Sequence, residues 1–342
     1  MWTTCLVFFQ SVLLAGYAYA DLTLRLGARR QAILHIGLLA LSLATLPILA
    51  SSGWKPQGSE EPITRILLLL VATIGLPYFL LSTTTPLLQH WYWRRFQSAV
   101  PYRLFALSNF ASLVALLGFP LLFEPLFDLT QLGWGWSIVF VVFAFLCAGT
   151  AWLSLSDAGK DFKVERAPSE RPSTWAQLQW LGLSAMGSVM LLAVSNHITQ
   201  NISSVPFLWV LPLALYLVTF ILAFDHPRWY HRVTFVLWMI TLLPAMAWYV
   251  PSLDLKTAAP LYLIGMFVGC MFCHGELARL KPDPSHLTRF YLMMSLGGAL
   301  GAVLVAIVAP LGLPGYFELG IALVLLGVLF AIRVRGMASA GV

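Results

Sequence analysis

Residues 156–177 read SDAGKDFKVERAPSERPSTWAQ and form the one long charged stretch of an otherwise lipid-like sequence. Pro168 and Pro172 discourage a continuous helix there, so the stretch predicts a solvated linker. Long apolar runs precede and follow it. The linker therefore predicts two hydrophobic halves: an N-terminal bundle of five helices over 1–155, the linker itself over 156–176, and a C-terminal bundle of six helices over 177–342.

Composition places the chain in the membrane. Of its 342 residues 59% are hydrophobic and 10% are charged, whereas soluble proteins carry roughly 25% charged residues. The apolar residues fall in runs long enough to cross a bilayer. We predict an all-α, polytopic integral membrane protein with about eleven membrane-spanning helices, near 2–24, 32–50, 64–86, 102–123, 134–155, 177–197, 205–224, 232–250, 259–275, 290–311 and 315–333.

The basic residues predict how the chain is oriented. All but three of its 20 Lys and Arg residues fall in alternate connections, and the exceptions are Lys55, Arg65 and Lys256. Under the positive-inside rule this bias places the N-terminus outside, and the linker and C-terminus in the cytoplasm, as in a bacterial inner membrane. The net charge of +6 is then explained by orientation. We expect the lipid bilayer as a partner and no nucleic acid.

A weak internal repeat favours a facilitator-like plan. Spans three and nine each end at a histidine, His90 or His274, followed by a basic loop with proline and a helix of small residues. This pairing leaves span six without a partner, so a helix is expected before Met1. Six helices, a linker and six helices form the plan of the major facilitator superfamily. The first cytoplasmic loop, residues 24–30 (LRLGARR), matches its signature in Arg, Gly and paired Arg but has Leu24 in the place of Asp; an ordinary positive-inside loop explains it equally well.

Residues 270–274 read CMFCH, the pattern of covalent haem attachment. In bacteria such attachment takes place outside the cytoplasmic membrane, whereas the following Arg279 and Lys281 place this helix end inside. We therefore expect packing cysteines and no haem, with His274 at the interface near Glu276.

Polar residues within apolar sequence are candidates for a substrate or transport pathway, because polar groups in lipid need a partner or water. The main group follows span six, and an exposed turn is the alternative explanation for it. Ser and Thr are weaker candidates, because they can bond to carbonyls of their own helix. The candidates are Ser82, Thr84, Asn109, Asn196, His197, Thr199, Gln200 and Asn201.

Catalytic residues are not evident. Asp and Glu residues fall near helix ends, and neither a phosphate loop nor a Ser-His-Asp set is present. Gly297, Gly298 and Gly301 form a small-residue patch that predicts close packing of membrane helices. We predict no catalytic residue, cofactor or metal site in this chain, and leave open whether it belongs to an enzyme.

Five long stretches carry a family resemblance: residues 2–20 (WTTCLVFFQSVLLAGYAYA), 76–92 (LPYFLLSTTTPLLQHWY), 101–117 (PYRLFALSNFASLVALL), 196–222 (NHITQNISSVPFLWVLPLALYLVTFIL) and 273–301 (CHGELARLKPDPSHLTRFYLMMSLGGALG). They resemble the transmembrane region of the bacterial fused membrane-anchored spermidine synthase-like proteins. The resemblance implies a facilitator-like membrane region followed by a Rossmann-type domain similar to aminopropyltransferases and methyltransferases.

The chain departs from this family at both ends. We expect that it begins after the family's first helix and stops where the catalytic domain would start, so no catalytic residue is carried over. The resemblance implies a membrane module that positions or supplies a cytoplasmic spermidine synthase-like domain or protein. A stand-alone transporter of a small solute such as a polyamine is the alternative, and a scaffold without transport is a third.

Overall fold

The computed structural model describes residues 2–49, 52–54, 62–96, 101–156, 171–201, 210–249, 255–313 and 317–339. The described residues are almost entirely helical, and no strand occurs among them. Eight helices in this part of the chain are long and apolar enough to cross a membrane: 5–26, 63–96, 102–126, 129–155, 174–199, 227–249, 257–279 and 284–312. The prediction of an all-α protein with several helices able to span a membrane is confirmed for the described residues.

The first half contains α1 (Trp2–Thr23), α2 (Ala28–Leu43), α3 (Pro62–Leu70), α4 (Leu76–Phe96), α5 (Pro101–Gly118), α6 (Glu124–Leu126) and α7 (Leu129–Ser156). The second half contains α8 (Thr174–Asn201), α9 (Val210–Asp225), α10 (Arg232–Tyr249), α11 (Leu255–Arg279), α12 (Leu287–Val303), α13 (Ala309–Gly312) and α14 (Glu318–Ser339). The figure of eleven spans stays a prediction. Most of the predicted linker lies outside the described residues, and that division of the chain also stays a prediction.

Helices α2 and α11 differ in extent from the sequence prediction, for physical reasons. The second predicted span, 32–50, is the shorter helix α2, which starts after Gly27 at φ +78°, a conformation that glycine adopts readily. It ends at Leu43, shortly before Pro47, whose ring disfavours a helical residue ahead of it. The ninth predicted span, 259–275, is α11, which continues to Arg279 because Glu276 has charged partners within the protein.

Three π turns interrupt the helices of the described residues, and each occurs beside a proline. Val71–Gly75 precedes Pro77, Phe119–Phe123 contains Pro120, and Leu304–Val308 precedes Pro310. Proline has no N–H for the helical bond and its ring presses on the carbonyl four residues earlier. The wider π turn absorbs this disruption, so the helix continues through the proline.

The chain packs as two compact units. Unit 1 comprises Met1–Leu104, Gly118–Ser173 and Pro282–Ser295. Within it α1 packs on α4 and α2 packs on α7. Ala20, Ala32 and Ala151 lie with Leu87 and Trp91 in one of its buried clusters. These small alanines let three helices approach closely around two large side chains.

Unit 2 comprises Phe105–Leu117, Thr174–Lys281 and Leu296–Val342. Helix α11 lies at its centre and packs on α8, α9 and α10, while α14 packs on α8. Gly297 and Gly301 touch α8 directly: a Cβ on either residue would come within 2.5 Å of a backbone oxygen, that of Leu181 or Ala185. The predicted close packing of this glycine patch is confirmed.

Candidate functional site: two buried polar clusters in unit 2

Helix α11 is buried on all sides over its second half. Every residue from Val268 to Leu277 is buried, and the side chains of His274 and Glu276 are fully buried. A helix that is buried all round belongs to a core, where a polar group costs free energy unless it is hydrogen-bonded. The partners of His274 and Glu276 therefore define the polar interior of unit 2.

His274 is held between an aromatic ring and a hydroxyl group. Its ring stacks on Phe220, with centroids 3.6 Å apart and planes 19° apart. Its Nδ1 lies 2.8 Å from Oγ1 of Thr219, whose hydroxyl donates to the carbonyl of Tyr216 at 2.6 Å. Because the single hydroxyl proton of Thr219 is used there, Nδ1 is the donor to Thr219. The neutral ring then carries its lone pair on Nε2.

The Nε2 atom of His274 faces α8. It has no hydrogen-bond partner among the described residues, and a Cβ on Gly187 would lie 2.8 Å from it. Next to it, Cys270 donates from Sγ to the carbonyl of Gly187 at 3.7 Å, and Ser188 Oγ lies 3.3 Å from the hydroxyl of Tyr216. We call these residues the His274 cluster: Gly187, Ser188, Tyr216, Thr219, Cys270 and His274. Within this cluster, Nε2 of His274 is a buried, uncharged hydrogen-bond acceptor with polar groups around it.

The Glu276 cluster is an ion group of one carboxylate and two guanidinium groups. Oε1 of Glu276 lies 2.7 Å from Nε of Arg232 and accepts from the hydroxyl of Tyr230 at 3.1 Å. Oε2 accepts from Nη2 of Arg232 at 2.8 Å and from Nη2 of Arg333 at 2.6 Å. Helices α10, α11 and α14 supply the three charged residues. The cluster ties these helices together and carries a net positive charge.

The sequence missed most of both clusters, because their members come from distant parts of the chain. His274 was expected at the interface near Glu276, but the structure encloses it in unit 2 against Phe220. The Glu276 cluster was not predicted. One feature of the sequence could have indicated it: Glu276 directly follows a long apolar run. A carboxylate at such a position needs a partner elsewhere in the fold.

The predicted polar group after span six lies at the end of α8 in unit 2. Asn196 and His197 are half-buried, and the ring of His197 packs edge-on against Tyr262 at 4.8 Å. Thr199 donates to the carbonyl of Ser195 at 2.8 Å. The side chains of Gln200 and Asn201 lie outside the described part of the structure. A pathway role for this group stays a prediction.

The remaining candidates bond to carbonyls of their own helices, and Ser82 also lies 3.4 Å from the carbonyl of Val12 on α1. Asn109, in unit 2, donates to the carbonyl of Phe105 at 2.9 Å. In unit 1, Ser82 donates to the carbonyl of Phe79 at 2.6 Å and Thr84 lies 3.1 Å from that of Leu80. These are the local bonds expected of polar side chains in apolar helices. Ser82 also packs on α1, where a Cβ on Gly16 would collide with its hydroxyl group.

Unit 1 has a smaller buried polar group that the sequence did not indicate. His35, within the apolar α2, lies 3.4 Å from the hydroxyl of Tyr19 and 3.5 Å from Sγ of Cys147. One turn earlier, Gln31 donates to Thr23 at 2.9 Å and accepts from Trp91 at 3.1 Å. These contacts link α1, α2, α4 and α7.

The CMFCH segment is enclosed in unit 2. Cys270 and Cys273 are both fully buried, so a haem would have to displace the surrounding helices to reach them. In the described part of the chain, no group of three or more His, Cys, Asp or Glu residues is arranged to hold a metal ion. Comparison with protein-family models gives no match, and comparison with curated proteins gives none.

Proposed function

We propose that this chain is the membrane module of a spermidine synthase-like system in a bacterial inner membrane. It positions or supplies a cytoplasmic Rossmann-type domain or protein similar to aminopropyltransferases and methyltransferases. In this proposal the chain has eleven spans in a facilitator-like arrangement of two bundles, with its N-terminus outside and its C-terminus in the cytoplasm. The five stretches of family resemblance and the distribution of basic residues support it.

The ion pair between Arg333 and Glu276 is the observation that carries the proposal. Arg333 lies near the end of α14, and its guanidinium is fixed at 2.6 Å from the carboxylate of Glu276. An ion group of this kind fixes geometry, because the loss of Arg333 would leave the fully buried Glu276 with Arg232 as its one charged partner among the described residues, and the loss of Glu276 would leave both arginines without their counterion. The end of α14 is therefore held rigidly to α11, which suits a module that presents a soluble domain in one orientation.

The described residues give no support to aminopropyl transfer by the membrane part itself. Such chemistry needs a pocket for a sulfonium nucleotide, normally at a Gly-rich turn between a strand and a helix, and acids that hold and deprotonate an amine. The Gly-rich run from Gly297 to Gly301 packs against α8 instead. Glu276 is engaged by two arginines, and Asp21 lies 3.5 Å from Arg289.

The deciding experiment uses the purified 342-residue protein in liposomes. Spermidine formation from putrescine and the aminopropyl donor is measured with and without an added soluble spermidine synthase-like protein. We expect no product from the chain alone, and retention of the soluble protein by tagged chain in a pull-down. Arg333→Gln should weaken that retention, whereas Arg335→Gln, which changes an exposed residue two positions on, should not. Product from the chain alone, or equal retention by all variants, would refute the proposal.

Transport of a small solute such as a polyamine is the second candidate, and the His274 cluster favours it. A buried acceptor on α11 that has no hydrogen-bond partner among the described residues is the kind of group that pathways in membrane proteins retain. The test is uptake of labelled putrescine by the same liposomes. Uptake abolished by Asn196→Leu and by His274→Asn, but not by His226→Asn at an exposed position, would favour transport over the positioning role. Absence of uptake by the wild type would reject transport.

A further inference from the structure

The connection between α9 and α10 in unit 2 carries an exposed arginine and an exposed tryptophan. Residues Pro227–Trp229 form a short 3₁₀ turn there. Arg228 is exposed, and Trp229 is 43% exposed. The run Pro227–Tyr249 is one of the helices that are long and apolar enough to cross a membrane. Arg228 and Trp229 therefore lie at the end of a span, where the hydrocarbon region meets the lipid headgroups.

Hydrogen bonds hold this turn in a defined position. The ring of His226 accepts from the backbone N–H of Arg228 at 3.1 Å, and the carbonyl of His226 accepts from the backbone N–H of Trp229 at 3.1 Å. The next residue, Tyr230, is buried and donates its hydroxyl proton to the Glu276 cluster at 3.1 Å. The turn is thus anchored to the interior of unit 2 directly after the two exposed side chains.

The guanidinium of Arg228 is placed to bind an anion. Its Cζ lies 5.0 Å from the centroid of the Trp229 ring, within the range of a cation–π contact. Within the described ranges this guanidinium donates no hydrogen bond and forms no ion pair. The neighbouring carboxylate, Asp225, accepts from the indole N–H of Trp229 at 3.3 Å instead. Guanidinium groups bind phosphate through parallel N–H donors, and Arg228 presents such donors beside a ring that restrains it.

An apolar stripe continues from Trp229 along α10. Val233, Leu237 and Ile240 follow it at spacings of four, four and three residues, which place them on one face of a helix. All three are more than half exposed, so in a bilayer this face is turned to the acyl chains. A ligand that uses both the guanidinium and the stripe has an anionic head and an apolar chain.

We propose that Arg228 and Trp229 bind the headgroup of an anionic phospholipid. The phosphate accepts hydrogen bonds from the guanidinium of Arg228, the indole ring of Trp229 packs at the headgroup level, and an acyl chain lies along the stripe on α10. Inorganic phosphate would use the guanidinium but gain nothing from the stripe, whereas an anionic phospholipid uses both. Basic residues at the end of a membrane helix attract such lipids electrostatically.

The test is native mass spectrometry of the purified full chain, titrated with phosphatidylglycerol or phosphatidylcholine of matched acyl chains. We expect the first phosphatidylglycerol to bind about tenfold more tightly than phosphatidylcholine. Arg228→Gln should weaken phosphatidylglycerol binding about fivefold, the effect expected of one interfacial arginine. Trp229→Leu should weaken it about threefold, because the guanidinium loses the ring that restrains it.

Arg335→Gln is the matched control for charge, because it removes an exposed arginine that has no cation–π partner in the described part of the chain. It should change phosphatidylglycerol binding by less than about twofold. Glycerophosphoglycerol, the same headgroup without acyl chains, should not displace the lipid at equal concentration. Equal binding of the two lipids, unchanged phosphatidylglycerol binding in Arg228→Gln or Trp229→Leu, an equally large effect of Arg335→Gln, or displacement by the soluble headgroup would each overturn the proposal. Unfolding temperatures of all variants establish that binding is compared between folded proteins.

Discussion

The guanidinium of Arg333 and the carboxylate of Glu276 meet at 2.6 Å, although Glu276 has no exposed surface. Arg232 contacts the same carboxylate from α10. A lone carboxylate at this depth would be costly, but two guanidinium groups and a tyrosine hydroxyl occupy its oxygens. Three helices of unit 2 therefore depend on one side chain.

Replacement of Glu276 by glutamine should destabilise the protein strongly. Glutamine has nearly the same shape, so the substitution removes the charge with little change in packing, and two partly buried arginines lose their counterion. Broken buried ion pairs cost about 3–5 kcal/mol, and we expect a loss of that size in denaturant unfolding monitored in detergent. Glu124→Gln, at an exposed position, should change stability by less than about 0.5 kcal/mol. Equal stability of the two variants would contradict the role assigned to Glu276.

Alanine at Gly297 or Gly301 should lower the unfolding temperature, even though alanine is the better helix former. A Cβ there would lie 2.3 Å from the carbonyl oxygen of Leu181 or 2.5 Å from that of Ala185, so α8 and α12 would have to separate. Gly149 in α7 is the control, because a Cβ there meets nothing within 4 Å. Gly149→Ala should be neutral or stabilising by up to about 1 kcal/mol. We therefore expect alanine to lower the unfolding temperature at Gly297 or Gly301 in α12, and to leave it unchanged or raise it at Gly149 in α7.

The sequence predicted those features that depend on local composition. Apolar runs predicted helices such as α10, expected at 232–250 and found at Arg232–Tyr249, and the glycine patch predicted close packing. The sequence did not predict partners across the fold. Glu276 pairs with Arg333, 57 residues away, and His274 with Thr219, 55 residues away. Periodicity and composition carry no information about which distant helices meet, so the polar interior became visible only in the structure.

Cysteine labelling in intact cells should report the predicted orientation. In a Cys5→Ser background, cysteines are introduced at Thr130 and at Arg335, both exposed. The distribution of basic residues places Thr130 outside and Arg335 in the cytoplasm. An impermeant thiol reagent should therefore label only the position at 130. Labelling at 335 from outside would reverse the topology and with it the cytoplasmic placement of the proposed partner domain.

Serine at both Cys270 and Cys273 should leave the amount of protein in the membrane nearly unchanged, and the purified wild type should show no haem absorption. Both thiols are fully buried. Serine is close in volume, and its hydroxyl can donate to a carbonyl of the preceding turn of α11, so it replaces the weak bond from Cys270 to Gly187 at 3.7 Å without an unsatisfied polar group. Absorption spectra and immunoblots of membranes provide the measurements. A c-type spectrum that disappears in the double variant would show that the segment holds haem after all.

The π turns beside Pro77, Pro120 and Pro310 change how these helices can be compared or rebuilt. One additional residue in a turn advances the helix by about 100°, so side chains on either side of the insertion follow separate helical phases. A helical wheel drawn through Pro62–Phe96 as one regular α-helix would assign its first residues to the wrong face. A chimera or a crosslinking experiment should therefore treat each π turn as a boundary. Helical positions are then assigned separately before and after the turn, so that residues on each side of it are placed on the correct face.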